Sequence, residues 1–137
     1  MGLGFVLKRK LEGWDEQTDR HPHIPDLGHD QWGALFFDAL ECPEADPYIH
    51  GEDFTEHTER FRRKFQKHLS GFPKLGRMWD FYNDAWYEPE EIVQLREECL
   101  RAQGKTSNPL ALEGLDLLLR ACDEASADRL GLFLAAD

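Results

Sequence analysis

The sequence predicts an α+β fold that is predominantly helical, with about five helices packed with a small antiparallel sheet formed by the N- and C-terminal strands. Apolar residues recur at steps of three and four through most of the chain, which is the period of a helix. The two ends instead place apolar residues at every second position, as strands do. A chain of 137 residues with 41% hydrophobic residues suits one core, so we expect a single globular domain over residues 1–137.

The predicted strands lie at the two termini. Near the start, Leu3, Phe5 and Leu7 occupy alternate positions, and the C-terminal segment LGLFLAA repeats the pattern with Leu130, Leu132 and Leu134. An unpaired strand would leave backbone N–H and C=O groups unsatisfied beside the core. The simplest arrangement therefore pairs the two terminal strands with each other.

Two helices are predicted in the first half of the chain. The segment HDQWGALFFDALEC can begin at Asp30 as a capping residue. Its apolar face would consist of Trp32, Leu35, Phe36, Ala39 and Leu40. A second helix is predicted from Glu52 to Leu69, where large apolar residues recur at a mean step near 3.6, and Gly71 and Pro73 would end it.

An aromatic stretch after Phe72 predicts a third helix. Its buried stripe would consist of Leu75, Met78, Trp79, Tyr82 and Trp86, which recur at steps of three and four. Its other side would carry Asp80, Asn83 and Asp84. Pro89 marks the start of the next helix, because a first helical turn tolerates the missing N–H of proline.

The fourth and fifth helices are predicted from this proline onward. The fourth runs from Pro89 to Gln103 and ends before Gly104. Its inward residues would be Ile92, Leu95 and Cys99, with the flanking Val93 and Leu100. The fifth begins with Asn108 as the cap and Pro109 in the first turn. Its buried stripe would be Leu112, Leu115, Leu118, Leu119 and Cys122.

The formal charge of −11 limits the partners that the chain can bind. Nucleic acids and anionic membrane surfaces are bound through Lys and Arg that neutralise phosphates, so neither is an expected partner. If a macromolecule binds here, the charge favours a basic protein.

Cysteine usage and the N-terminus bear on the compartment. The three cysteines, Cys42, Cys99 and Cys122, form no CxxC pair and are odd in number, so no disulfide framework is expected. The short apolar run at the start precedes the basic residues, which is the reverse of a secretory signal, and no stretch of about 20 apolar residues could span a membrane. We expect a cytoplasmic protein.

A histidine-rich loop raises an alternative hypothesis, a metal-dependent enzyme. His21, His23 and His29 lie among aspartates in one proline-rich loop, and Asp53 and His57 stand four residues apart on a predicted helix. Neither an HExxH motif nor a paired Cys and His spacing is present. A polar loop and a hydrogen-bonded histidine at the edge of the core are the simpler interpretation, and no metal or other cofactor is predicted.

Catalytic chemistry has little support in the sequence. The serines lie at predicted helix boundaries, where a hydroxyl caps or turns the chain, and none belongs to a GxSxG motif. Paired carboxylates such as Glu90 and Glu91 lie in polar surroundings without the burial that general acid catalysis needs. No catalytic residue is predicted. A small-ligand sensor with a pocket between the aromatic helix and the terminal strands remains a further possibility.

The acidic side of the aromatic helix is the predicted partner-binding site. Asp80, Asp84 and Glu88 are spaced by four, so a helix would align like charges that repel one another. A cation must lie near such a row, supplied either by this chain or by a partner. Trp86 and Tyr87 lie beside the row and complete the predicted site.

The block from residue 72 to residue 98 resembles a known pattern. Its core, GRMWDFYNDAWYEPEEIVQLREEC, is similar to a recurrent arrangement in small uncharacterised bacterial proteins, some of which look like immunity proteins of polymorphic toxin systems. The resemblance implies binding to a cognate toxin and no catalysis. We therefore expect a noncatalytic protein-interaction protein that covers a basic surface with charge and aromatic anchors.

Overall fold

The computed structural model describes residues 2–42, 63, 69–79, 81 and 83–136. The strands are β1 (Gly2–Lys8), β2 (Leu27–Gly28), β3 (Ala85–Tyr87) and β4 (Gly131–Ala136). The α-helices are α1 (His29–Ala34), α2 (Ile92–Gln103) and α3 (Pro109–Ala127). A π-helical turn, Leu35–Ala39, continues α1, and short 3-10 turns lie at Leu69–Gly71, Leu75–Met78 and Pro89–Glu91.

The α+β class predicted from the sequence fits this structure, but the number of about five helices is wrong. The described residues contain three α-helices and a four-stranded antiparallel sheet. The helix predicted from Glu52 to Leu69 lies outside the described residues, apart from Arg63 and Leu69 itself. The aromatic helix is replaced by a short turn and a strand.

The predicted pairing of the two terminal strands is confirmed. β1 and β4 run antiparallel with Leu3 opposite Ala136 and Lys8 opposite Gly131. The sheet order is β2-β1-β4-β3, so this pair lies in the centre and each terminal strand has a second neighbour. Neither β2 nor β3, which are two and three residues long, was predicted from the sequence. They satisfy backbone groups that the central pair leaves open.

One face of the sheet packs against the helices. Leu3, Phe5 and Leu7 of β1 and Leu132 and Leu134 of β4 belong to one connected hydrophobic core. The helices contribute Leu95, Leu115, Leu118 and other fully buried side chains to the same core. Among the described residues, no helix is long and apolar enough to cross a membrane.

The helix predicted for HDQWGALFFDALEC, which forms α1 and the π-helical turn after it, has its predicted apolar face but a different start. Its predicted inward residues, Trp32, Leu35, Phe36, Ala39 and Leu40, are all buried. The cap is Gly28 and not Asp30, because the Gln31 side chain accepts a hydrogen bond from the Gly28 N–H at 2.9 Å. The Trp32 indole N–H donates to the Met78 carbonyl at 2.7 Å. This bond ties α1 to residues 72–79, which we call the aromatic segment.

Helices α2 and α3 lie close to their predicted positions. Asn108 caps α3 by accepting from the Leu110 N–H at 3.0 Å, as expected. On α2, Ile92, Leu95 and Cys99 are buried as predicted, but the flanking Val93 and Leu100 are wrong, since they are 65% and 44% exposed. On α3, Leu115, Leu118 and Cys122 are fully buried, and Leu112 and Leu119 are partly buried.

The three cysteines are free and buried. Burial raises the pKa of Cys42 and of Cys122 to about 12, and it raises the pKa of Cys99 well above its ordinary value. A thiol must ionise to act as a nucleophile or to ligate a metal. At neutral pH these residues serve as small apolar side chains of the core.

Gly131 provides the first stability test of this architecture. A Cβ atom at this position would lie 2.4 Å from Trp86 Cη2 and 2.6 Å from the Tyr87 carbonyl oxygen. We expect Gly131→Ala to lower the free energy of unfolding by about 1–3 kcal/mol, because the strand backbone and the indole cannot both move away cheaply. Urea denaturation measures the change.

Gly33→Ala is the matched control, because an added Cβ at Gly33 in α1 meets no atom within 4 Å. This control should be neutral or stabilising by up to about 1 kcal/mol, since alanine favours a helix. Equal destabilisation by both substitutions would contradict the close contact at Gly131.

Candidate partner-binding surface

The face of the sheet that points away from the helices carries a row of large apolar side chains. Val6 lies opposite Phe133, and Phe133 lies opposite Trp86, so the three residues cross β1, β4 and β3 in register. Alternation along each strand places them on the side opposite the core leucines. Val6 is buried, whereas Phe133 and Trp86 are partly exposed. We call Val6, Phe133, Trp86, Asp84 and Glu88 the outer face.

Trp86 is held in one orientation on this surface. Its ring lies over Gly131, where the missing side chain leaves room for the indole. Its indole N–H donates to the Glu88 carboxylate at 2.9 Å. A fixed aromatic ring loses little conformational entropy when a partner covers it, which is why such rings serve as anchors in interfaces.

Two exposed carboxylates flank Trp86 on the same strand face. Asp84, Trp86 and Glu88 stand two residues apart, so extended backbone points all three side chains the same way. The Asp84 carboxylate accepts from the Ala136 N–H at 2.8 Å and thereby closes the end of β4. The apolar row therefore ends at an acidic edge.

The structure changes the interpretation of the predicted site. Asp80 lies outside the described residues. Asp84, Trp86 and Glu88 do lie together, but in an extended segment, so the predicted helical row spaced by four is wrong. Tyr87 points to the core and is fully buried, with its hydroxyl donating to the Lys74 carbonyl at 2.5 Å. It therefore offers no surface to a partner.

The sequence prediction missed two residues of the outer face, Val6 and Phe133. It also missed Gly131, on which Trp86 rests. The alternation in the terminal strands was interpreted only for its inward leucines. The intervening positions of those strands also carry apolar residues, Val6 and Phe133, and this signal of a second apolar face was available in the sequence.

A buried carboxylate positions the chain before β3. Glu98 of α2 is fully buried and accepts hydrogen bonds from the backbone N–H groups of Lys74 and Leu75, both at 2.9 Å. Gln94 donates to its second oxygen at 3.2 Å. These bonds supply partners to N–H groups that open the 3-10 turn Leu75–Met78, and that turn interrupts the predicted helix.

Arg77 and its ion pair with Glu91 hold the edge strand β3 in place. Arg77 donates to the Trp86 carbonyl at 3.0 Å and also forms an ion pair with Glu91, which in turn pairs with Lys74 at 2.7 Å. The hydrogen bond from Arg77 and the nearby Lys74 lower the pKa of Glu91 to about 2. The Trp86 carbonyl on this edge therefore already has a donor, and that disfavours the addition of another strand at this point.

The metal hypothesis finds no support in the described part of the chain. His21 stacks on Trp14, and His29 packs edge-on against Phe81, with ring centroids 5.4 and 5.2 Å apart. Within the described ranges, no group of three His, Cys, Asp or Glu side chains could hold a metal ion. Asp53 and His57 lie outside these ranges.

The hypothesis of a small-ligand sensor also finds no support in the described residues. The sensor pocket was expected beside an aromatic helix, and the structure has a 3-10 turn and a strand there.

Comparisons with known protein families, with curated proteins and with solved structures give no match for this chain. The outer face combines partly exposed aromatic side chains with adjoining carboxylates.

Glu98→Gln tests the anchor of the aromatic segment. An amide offers one acceptor oxygen and turns an NH₂ group toward the N–H donors of this buried site. We expect the free energy of unfolding to fall by about 1–3 kcal/mol. The neighbouring Glu97 is exposed, and Glu97→Gln should change stability by less than about 0.5 kcal/mol. Equal effects in urea denaturation would contradict the role of Glu98.

Glu91→Gln tests the ionic contact through its pH dependence. The pKa of Glu91 is lower in the folded protein than the ordinary 4.5, so its ionised form stabilises the fold above about pH 4.5. That stabilisation is lost as the pH falls from 4.5 toward 2. The stability difference between wild type and Glu91→Gln should therefore be largest at neutral pH and shrink below pH 4.5. A difference that stays constant down to pH 2 would contradict this pairing.

Proposed function

We propose that the protein is a noncatalytic interaction protein that binds a basic protein partner through its outer face. The observation that supports this is the row from Val6 through Phe133 to Trp86, which ends beside the carboxylates of Asp84 and Glu88. A partly exposed aromatic pair on a rigid sheet supplies the apolar centre of an interface. The adjoining carboxylates supply charge complementary to Lys or Arg of the partner.

The charge of the whole chain acts in the same direction. A formal charge of −11 attracts a basic protein over distances of about a Debye length and speeds encounter. The apolar row then determines how slowly the complex separates, because buried aromatic anchors carry most of the binding energy in interfaces. The charge therefore sets the association rate, and the apolar row sets the dissociation rate.

An immunity protein is the specific form of this proposal. Residues 72–98 resemble a segment of small bacterial proteins that look like immunity proteins, and this segment contributes Asp84, Trp86 and Glu88 to the outer face. Such a protein would neutralise a cognate toxin in the cytoplasm by covering a basic surface of the toxin. Masking requires no catalytic residue, only a stable complex.

The partner to test is the product of the reading frame adjacent to this one in the genome. Produced alone in bacteria, it should stop growth, and co-production of the present chain should restore growth. The two purified proteins should form a complex with a strongly salt-dependent association rate. An adjacent product that neither inhibits growth nor binds would count against the immunity proposal.

Conservative variants locate the contact within this complex. Asp84→Asn and Glu88→Gln keep acceptor atoms for the Ala136 N–H and the Trp86 indole but remove two charges. Together they should slow association several-fold and flatten its salt dependence. Trp86→Leu should speed dissociation about tenfold or more.

The controls remove the same charges and a comparable apolar group elsewhere. Asp116→Asn with Glu124→Gln changes two exposed carboxylates of α3, and Val93→Ser changes an exposed apolar residue of α2. These controls should leave both rate constants near wild type. If control and outer-face variants behave alike, the outer face is not the binding site.

A further inference from the structure

The loop after β1, residues 9–20, is fixed at its base. Leu7 and Arg20 exchange two backbone hydrogen bonds, at 2.9 and 3.0 Å, that close the loop like a small hairpin. Lys8 donates to the Leu11 carbonyl at 2.8 Å. Gly13 adopts a φ of 82°, a left-handed conformation that glycine accepts without strain.

A buried carboxylate organises the inside of this loop. Asp19 is 8% exposed and accepts hydrogen bonds from the backbone N–H groups of Arg9 and Asp15, at 2.9 and 2.8 Å. The Thr18 hydroxyl donates to the same carboxylate at 3.1 Å. Burial alone would raise the pKa of Asp19, but the backbone hydrogen bonds from Asp15 and Arg9 outweigh it and lower the pKa. At neutral pH the charged form therefore accepts these hydrogen bonds and links the two sides of the loop.

The ordered loop exposes two large apolar side chains at its tip. Leu11 is 45% exposed and Trp14 is 48% exposed. Trp14 stacks on His21 with a ring separation of 5.4 Å, which fixes the indole without covering it. Apolar side chains that are both ordered and exposed are typical of contact residues, since their immobilisation has already occurred before a partner arrives.

Lys8 joins this loop to the outer face. Its ammonium lies 5.6 Å from the centre of the Phe133 ring and bonds the Leu11 carbonyl. Phe133 and the loop tip are therefore parts of one continuous surface. Carboxylates border both ends of this surface, with Asp84 and Glu88 at the β3 edge and Glu12 and Glu16 at the loop tip.

We infer that residues 9–20 form a preorganised second arm of the partner-binding surface, which inserts Leu11 and Trp14 into an apolar recess of the same protein partner. This inference rests on the proposed function and adds the chemistry of the partner. The partner must be basic opposite β3. Opposite the loop it must be apolar with Lys or Arg at the rim, because the exposed Glu12 and Glu16 border the tip and Arg9 is paired with Asp15.

Trp14→Ser and Leu11→Ser test the arm in the complex with the adjacent-frame product. Each should speed dissociation about tenfold, whereas Val93→Ser, which removes a more exposed apolar group from α2, should have no effect. If the loop variants dissociate like wild type while Trp86→Leu dissociates faster, the arm is refuted and the outer face stands. If Trp86→Leu also behaves like wild type, the proposed function fails with it.

Asp19→Asn gives a readout that needs no partner. It keeps Leu11 and Trp14 but weakens the hydrogen bonds to the Arg9 and Asp15 amides. Hydrogen exchange at these amides should accelerate at least tenfold, while exchange at Phe5 in β1 stays unchanged. Wild-type amides that already exchange at the rate of an unstructured chain would show that the loop is not preorganised, and the inference would be wrong.

Discussion

The buried carboxylate of Glu98 is the interaction on which the arrangement of the candidate surface depends. A carboxylate removed from water must accept hydrogen bonds, and the N–H groups of Lys74 and Leu75 satisfy this requirement. They fix the aromatic segment against α2. Arg77 then reaches the Trp86 carbonyl, and β3 is secured along β4.

The three residues of β3 point to opposite sides of the sheet. Ala85 and Tyr87 point to the helices and complete the core, while Trp86 points the other way and rests on Gly131. In a helix, Trp86 would have belonged to the buried stripe. The extended backbone places it on the outer face with Asp84 and Glu88, because side chains of a strand alternate between its two sides.

A buried carboxylate that accepts backbone hydrogen bonds also organises the loop after β1. Asp19 and Glu98 are the buried charged side chains in the described part of the chain, and each accepts hydrogen bonds from backbone N–H groups outside the α-helices and strands. Each of these stretches of backbone leads to a tryptophan that is partly exposed, Trp14 or Trp86. Internal carboxylates thus hold in place the surfaces that we propose for binding.

The sequence by itself determined the elements with a strong local pattern. The terminal strands, the N-cap of the last helix and the buried face of residues 32–40 follow from alternation, from Asn108 before Pro109 and from apolar spacing. Only the tertiary structure decided the conformation of residues 75–79 and 83–88, since the spacings of three and four there fit a helix equally well. A buried carboxylate from α2 and an open edge of β4 lie far away in sequence, so no local pattern could reveal that they favour a turn and a strand over that helix.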